Sequence, residues 1–412
     1  MAATAQSSNA RTHTARRAAA RPRALRVLAG AALAAMLASC ATVQTTSTGT
    51  VVAPTETAPA PARWRFDDSR APAERDGYRP PRKLAVLLPM TGALATAAGP
   101  VRDGLLAGYY GERRTRPELA FYDTTGTSAG TASAYARAIA EGADQVVGPL
   151  GREEVDALFR STVQVPVVAL NRGSAHAPDN AAAFSLAPED EGDAAAQYLL
   201  KRNARNVLVL SNGEDAARRS VDALTARLAQ SGGSVVATLA IVGDQPVDQT
   251  AALQNALASG TGVDAVFLAI RGNQARVLAP QLSVAGLAAR PRVGSSLLQT
   301  GTGKPEEDQI LDGIVFPTES WSTGASARAL PPLATVSREL PTARGAAARL
   351  FAFGFDAWLL SGYLEHLART PENAIGGATG MLRIGNDGNV LRQPAWATWR
   401  GGNVVPQADA GG

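Results

Sequence analysis

The apolar and polar positions from Lys83 to Tyr110 set the pattern that the rest of the chain repeats. Leu84, Ala85, Val86, Leu87 and Leu88 form an unbroken apolar run, as expected of a strand buried on both faces of a parallel sheet. Pro89 and Gly92 break it, and Val101, Leu105 and Tyr109 then recur at helical spacing. In an open α/β sheet the loop leaving the carboxyl end of such a strand is where ligands sit, near backbone N–H groups at a helix start. The alternation continues, predicting strands at 84–88, 118–122, 145–147 and 166–170 and helices at 99–113, 129–141 and 151–162. It restarts after Pro188, with helices at 189–203, 215–231, 248–259 and 273–286 around strands at 206–210, 234–242 and 263–270. Two such runs predict an α/β fold of two doubly wound lobes joined by several crossovers.

Glu189, Asp190 and Glu191 fall in the first turn of the helix that opens the second run. Carboxylates there favour the positive end of the helix dipole by about 0.3–1 kcal/mol each. A long helix over 346–367, apolar at Leu350, Phe353, Ala357, Leu360, Leu364 and Leu367, is expected to return to the first lobe with one core face. Met381, Arg383, the polar turn Asn386-Asp387-Gly388-Asn389, Val390, Trp396 and Trp399 then suggest a hairpin.

Several stretches are specific in wording as well as in pattern. Leu87-Leu88-Pro89-Met90-Thr91-Gly92, followed by Gly99, Gly104 and Gly108, resembles the opening of type I periplasmic solute-binding folds. Phe121 to Thr124, Gly142 to Leu150, Phe184 to Glu191, Leu311 to Phe316, Arg349 to Trp358, and Gly380 to Arg383 on through Trp396-Ala397 narrow the match. In collinear order from about Lys83 to Pro406 they resemble the C-terminal module of LpoA-type lipoproteins, the penicillin-binding-protein activators. The resemblance implies a type I periplasmic-binding-protein-like module over 82–406, with a first lobe of about 82–187 plus 345–372 and a second of about 188–318 plus 376–406. It implies a cleft lined by loops at the carboxyl ends of first-lobe strands: Thr91 and Gly92, Gly148, Pro149 and Leu150, and Asn171, Arg172 and Gly173. Backbone N–H groups there could hold the carboxylate of a small ligand, or Asn171 and Arg172 could bridge the lobes and hold them shut. The implied partner is a class A penicillin-binding protein, a bifunctional peptidoglycan synthase. Longer family members carry a helical-repeat domain ahead of the module, for which the 41 residues from Ala41 to Pro81 leave no room.

The charge balance changes once the N-terminus is set aside. Residues 1–40 hold six arginines, at 11, 16, 17, 21, 23 and 26, and no acid, so without them the formal charge falls from +4 to −2. With no basic stripe interleaved with aromatics elsewhere, nucleic-acid binding loses its support. The arginines precede an apolar run from Val27 to Leu37, too short to span a bilayer, and the run ends in Leu37-Ala38-Ser39-Cys40. This is the layout of a lipoprotein signal peptide over 1–40, ending in a lipobox whose Cys40 thiol accepts diacylglycerol. Cys40 is the only cysteine, so the alternative of an intrachain disulfide is closed. Ala41 follows it, and the Asp that usually marks inner-membrane retention is absent, which points to the periplasmic side of the outer membrane. Residues 41–81, rich in Thr, Ala and Pro, read as a tether on which Trp64, Phe66 and Tyr78 could pack against the domain that follows.

Little in the sequence supports catalysis. Beyond the leader the histidines are His176, in the loop Arg172 to Asp179, and His366. A loop position suits a general base, but no nucleophile motif accompanies His176, so it reads as a surface residue. No GxSxG elbow is present, and no serine has lysine three residues on. Gly301-Thr302-Gly303-Lys304-Pro305 fails as a phosphate loop because proline takes the place of Ser or Thr. Asp387-Gly388 lacks the other acids of a calcium loop, and no cluster has metal-ligand spacing. The expectation is a non-enzymatic, lipid-anchored activator of a class A penicillin-binding protein in peptidoglycan synthesis, with no cofactor and no metal. The alternative is a lipid-anchored solute-binding protein for an amino acid or muropeptide. A cell-wall hydrolase would need a carboxylate pair that only the fold brings together.

Overall fold

The computed structural model describes residues 63–407, apart from 259, 261, 300, 325–329 and 371. Cys40, the lipobox and residues 41–62 of the tether lie outside the described residues. The first lobe runs β1 (Lys83–Leu88), α1 (Ala95–Gly111), β2 (Glu118–Asp123), α2 (Ser128–Ala140), β3 (Gln145–Val147), α3 (Arg152–Phe159), β4 (Val167–Ala169) and β5 (Ala181–Ala183). Its sheet is parallel throughout, in the order β2-β1-β3-β4-β5. Leu84 to Leu88 are fully buried, as their uninterrupted apolar run requires.

The second lobe runs α4 (Pro188–Leu200), β6 (Asn206–Ser211), α5 (Asp215–Gln230), β7 (Ser234–Ala240), α6 (Thr250–Ala258), β8 (Ala265–Ala269), α7 (Gly272–Val284), β9 (Arg292–Gly294), α8 (Pro305–Asp308) and β10 (Ile314–Thr318). The chain then passes through α9 (Leu333–Glu339) and α10 (Ala347–Arg369), which rejoins the first core, to β11 (Ile375–Gly376), β12 (Met381–Ile384) and β13 (Val390–Gln393). β14 (Ala395–Arg400) and β15 (Asn403–Pro406) return to the second lobe. That sheet has the order β15-β14-β10-β9-β8-β6-β7, parallel from β7 to β10 and antiparallel beyond. The architecture is the expected pair of doubly wound α/β lobes joined by crossovers, one at Ser185–Ala187, one after Thr318 and one at Pro394.

Three expectations need correction. Residues 63–81, read as the end of the tether, are packed on the first lobe. Trp64 and Phe66 stack with centroids 5.8 Å apart against the first core, and Tyr78 is buried. Arg70 and Arg79 grip Glu365 of α10 at 2.6 and 2.9 Å, and Arg63 donates to the carbonyls of Ala177 and Ala181, both at 3.1 Å. The aromatics and the paired charges outweigh a composition that reads as a linker. The second correction concerns the C-terminal hairpin. Ile375, Ala378, Leu382, Ile384 and Val390 pack in the first core, and of the grouped 376–406 it is β14, with Trp396, Ala397 and Trp399, and β15 that lie in the second lobe. The third concerns α10, which is buried almost all round and not on one face. α1 covers one side of it, residues 63–81 another and the loop 377–379 a third, so its buried set includes Asp356 and Ser361.

α1 and α10 approach closely enough that only hydrogen fits at the crossing. A Cβ at Gly104 would strike the Phe351 carbonyl, and one at Gly354 the Val101 carbonyl. Gly104→Ala is therefore expected to lower the unfolding free energy by about 1–3 kcal/mol in urea titration. Gly99→Ala, on the same helix with nothing within 4 Å of the added methyl, should leave it unchanged or raise it by up to about 1 kcal/mol. Equal effects at the two positions would show that the crossing is not tight.

Candidate functional site

The loops expected to line the cleft come together, but mostly on one another. Asp123, at the end of β2, accepts the Met90 N–H at 2.9 Å and the Thr125 N–H at 2.8 Å, and its other oxygen accepts the Thr91 hydroxyl at 2.7 Å. The carboxylate held by the loop after β1 is thus the protein's own. Gly92 turns that loop at φ +82°. Gly148, at φ +102°, lies against the Leu87 carbonyl, where any Cβ would collide. The Pro149 carbonyl accepts the Leu170 N–H at 2.8 Å, Leu150 is buried, and the Asn171 amide donates to the Leu150 carbonyl at 2.9 Å. Asn171 stays within the first lobe.

Arg172 does not. It donates to Asp190 on α4 at 2.7 Å and to the Val390 carbonyl at 3.2 Å, tying the loop after β4 to the second lobe and to the hairpin. Asp190 is the middle member of the acidic triplet opening α4, and each member has its own arginine. Glu189 is held by Arg219 of α5 through two bonds of 2.7 and 2.8 Å. Glu191 pairs with Arg349 near the start of α10 and accepts both the N–H and the hydroxyl of Ser296, at 2.9 and 2.8 Å. Arg349 also reaches Glu319, just past β10, at 2.8 Å. Glu191 and Glu319 are almost wholly buried, and Arg392 of β13, also buried, lies in the same cluster.

The charge states follow from these contacts. Burial pulls the Glu191 carboxyl upward, but Arg349 and the Ser296 N–H outweigh it and hold it below the ordinary carboxylate range. Burial would lower the Arg349 pKa, yet Glu191 and Glu319 raise it above the usual value. For Asp190 burial wins over Arg172, and its pKa is raised. Sequence reasoning assigned the triplet to the helix dipole alone and missed Ser296, Glu319, Arg349 and Arg392. The visible signal was the run of three acids; their partners lie as far as 158 residues away.

The other candidate chemistries are occupied by structural contacts. His176 lines a cavity of about 150 Å³ with Ser174 and Asp387, but the Ser174 hydroxyl is given to Asp156 at 2.7 Å. In the loop 301–305 the Thr302 N–H is taken by Asp308 at 2.8 Å. Among the described residues no group of three or more His, Cys, Asp and Glu side chains could hold a metal ion.

The LppC lipoprotein family model matches residues 78–402. The chain belongs to that family. It is similar to the penicillin-binding protein activator LpoA of Dickeya chrysanthemi, 28% identical over 324 residues that cover 69% of this chain and 46% of that protein. It is also similar to LpoA of Mannheimia succiniciproducens, 26% identical over 79% of this chain and 55% of that protein. The chain therefore spans about half the length of the LpoA relatives it matches. In fold it resembles full-length LpoA from Haemophilus influenzae, with a TM-score of 0.66 at 21% identity over 79% of this chain and 59% of that one. The LpoA C-domain from the same organism, a regulator of PBP1A, superposes with a TM-score of 0.65 at 22% identity over 79% of this LppC-family chain and all of the domain. A branched-chain amino acid ABC transporter protein from Chromobacterium violaceum gives a TM-score of 0.61 at 29% identity over 77% of this chain and 99% of that one.

Removing Arg349 leaves two buried carboxylates without their cation. Arg349→Met is expected to destabilise this LppC-family protein by about 3–5 kcal/mol in denaturant titration, and Arg349→Lys to recover only part of that, because one ammonium cannot span both acids. Arg218→Ala, which breaks an exposed pair with Asp215, should change stability by less than about 1 kcal/mol. A loss below 1 kcal/mol for Arg349→Met would remove the cluster as a fastening.

Proposed function

We propose that this protein is a non-catalytic regulator, anchored by lipid at Cys40 to the periplasmic side of the outer membrane, that binds and activates a class A penicillin-binding protein in peptidoglycan synthesis. The names of its relatives support this reading, as does one feature of the molecule: both lobes are fastened through the triplet at the start of α4. A solute receptor works by opening and closing about its hinge. Here opening would separate Arg349 from Glu191 and Arg172 from Asp190, pairs shared between α4 and the first lobe. An activator needs no such motion and can present the two lobes as one block. The solute-binding reading is favoured by the likeness to the transporter protein. It is disfavoured by cleft loops whose N–H groups and polar side chains, including Thr91 and Asn171, are spent on the protein itself.

Activation by contact requires that the protein bind the active state of the synthase more tightly than the inactive one, with a coupling of about 1–3 kcal/mol, a five- to 150-fold change. The anchor raises local concentration without adding contacts. Cys40→Ser is expected to shift the protein from the membrane fraction to the soluble one on cell fractionation; unchanged fractionation would remove Cys40 as the anchor. In a lipid II polymerisation and cross-linking assay, soluble protein starting at Ala41 should raise peptide cross-linking by the class A enzyme several-fold. Binding without a rise would separate docking from activation, and release of soluble fragments from peptidoglycan by the protein alone would contradict the non-catalytic role.

A further inference from the structure

A groove of about 610 Å³ runs between α4 and α5 on one side and the β12–β13 hairpin on the other. Its volume lies in the range of ligand-binding clefts. It is bounded by both lobes: the buried faces of α4 and α5 belong to the second core, and those of the hairpin to the first. The hairpin alternates cleanly. Leu382, Ile384 and Val390 face the core, while Met381, Arg383 and Leu391 point outward, with Met381 46% and Leu391 38% exposed.

The polar groups lining the groove are unequal in what they leave available. All three carboxylates on its α4 wall are matched by arginines: Glu189 by Arg219, Asp190 by Arg172 and Asp193 by Arg227. One exposed cation on the hairpin is not matched in this way. Arg383 is exposed and makes no ion pair among the described residues. Arg392, 7% exposed, borders the groove but turns to the buried side with Val390, where it lies among Glu191, Glu319 and Asp190 and donates to the Thr379 carbonyl, so it is not open to a visitor. What the groove offers a visitor is therefore the positive charge of Arg383 on the hairpin side, beside apolar lining from Leu391, Ala194, Ala223 and Ala226. A lysine-bearing segment would meet an uncompensated arginine, and a purely apolar one would leave the Arg383 charge against hydrocarbon.

We infer that this groove is the docking site for an extended acidic segment of the penicillin-binding protein, its carboxylate on Arg383 and an aliphatic side chain against Leu391. The inference rests on the regulator reading given above. Because the lobes are fastened to each other, the groove exists before the partner arrives and little ordering is needed on this side of the interface.

The test measures binding of the purified class A enzyme to the immobilised protein at two salt concentrations, for wild type, Arg383→Glu, Leu391→Glu and Arg383→Lys. Arg137→Glu, at an exposed arginine outside the groove, is the control. Arg383→Glu and Leu391→Glu should each weaken binding about tenfold or more, with unchanged denaturation midpoints, while Arg383→Lys and Arg137→Glu stay within about threefold. Arg383→Glu should also flatten the salt dependence. Wild-type binding that both groove variants retain within twofold would overturn the groove and leave the regulator reading standing. Absence of wild-type binding would overturn both. A change of oligomeric state in Arg383→Glu with partner binding intact would assign the groove to self-association and overturn the inference.

Discussion

Burying Glu191 and Glu319 is possible only because Arg349 lies between them. Each ion taken from water costs several kcal/mol even after relaxation, and that cost is offset only where geometry and further hydrogen bonds are good. Here Ser296 supplies two donors to Glu191, and the planar guanidinium reaches both acids at once. The three acids of the triplet are consecutive on a helix, so each turns about 100° from the last and meets a different neighbour. Glu189 meets α5 of its own lobe, Asp190 the loop after β4, and Glu191 the start of α10. One turn of helix is thereby fixed against three bodies, and the relation of the two lobes follows from it.

This arrangement supports the proposed reading, in which a fold shared with solute-binding proteins serves as a regulator. In a receptor the closed form is stabilised by ligand contacts made across the cleft, and the apo protein opens because those contacts are missing. In this chain the contacts across the lobes include internal ion pairs, which need no solute to form. The loop after β1 shows the same substitution on a smaller scale, since Asp123 fills the N–H groups that would otherwise face a ligand carboxylate. Both observations support the fastened, non-receptor reading proposed above.

Much of the fold was legible because its strands are unbroken apolar runs between helices of the right period. β1, β6 and β8 are of that kind and are fully or nearly fully buried. β5, Ala181-Ala182-Ala183, and β9, Arg292-Val293-Gly294, were not legible, because three residues without a branched or aromatic cluster carry no period. Residues 63–81 misled for another reason: their Pro and Ala content is that of a linker, while their folding depends on Glu365, nearly 300 positions away. Arg172 as a bridge was foreseen as one of two roles. Arg349 was visible only as a word in a stretch of resemblance, since nothing local to it announces a buried partner.

The groove depends on the same helix as the lobe joint. Arg349 and Asp356 are seven residues apart on α10, two turns along one face. Arg349 holds α4, and so the wall of the groove that carries Asp193 and Ala194. Asp356, fully buried, accepts the Ala378 N–H at 2.6 Å and the Thr379 N–H at 2.8 Å, and so fixes the loop that leads into β12. Burial pushes its pKa up to about 7 against the pull of those donors. Arg392 adds a bond from Nη1 to the Thr379 carbonyl at 3.2 Å, tying β13 to the same loop. Both walls are therefore set by side chains two turns apart on one buried helix, itself held by α1 and by residues 63–81. A shift of that helix would move both walls together, so the spacing between α4 and the hairpin is more constrained than either element's own exposure suggests.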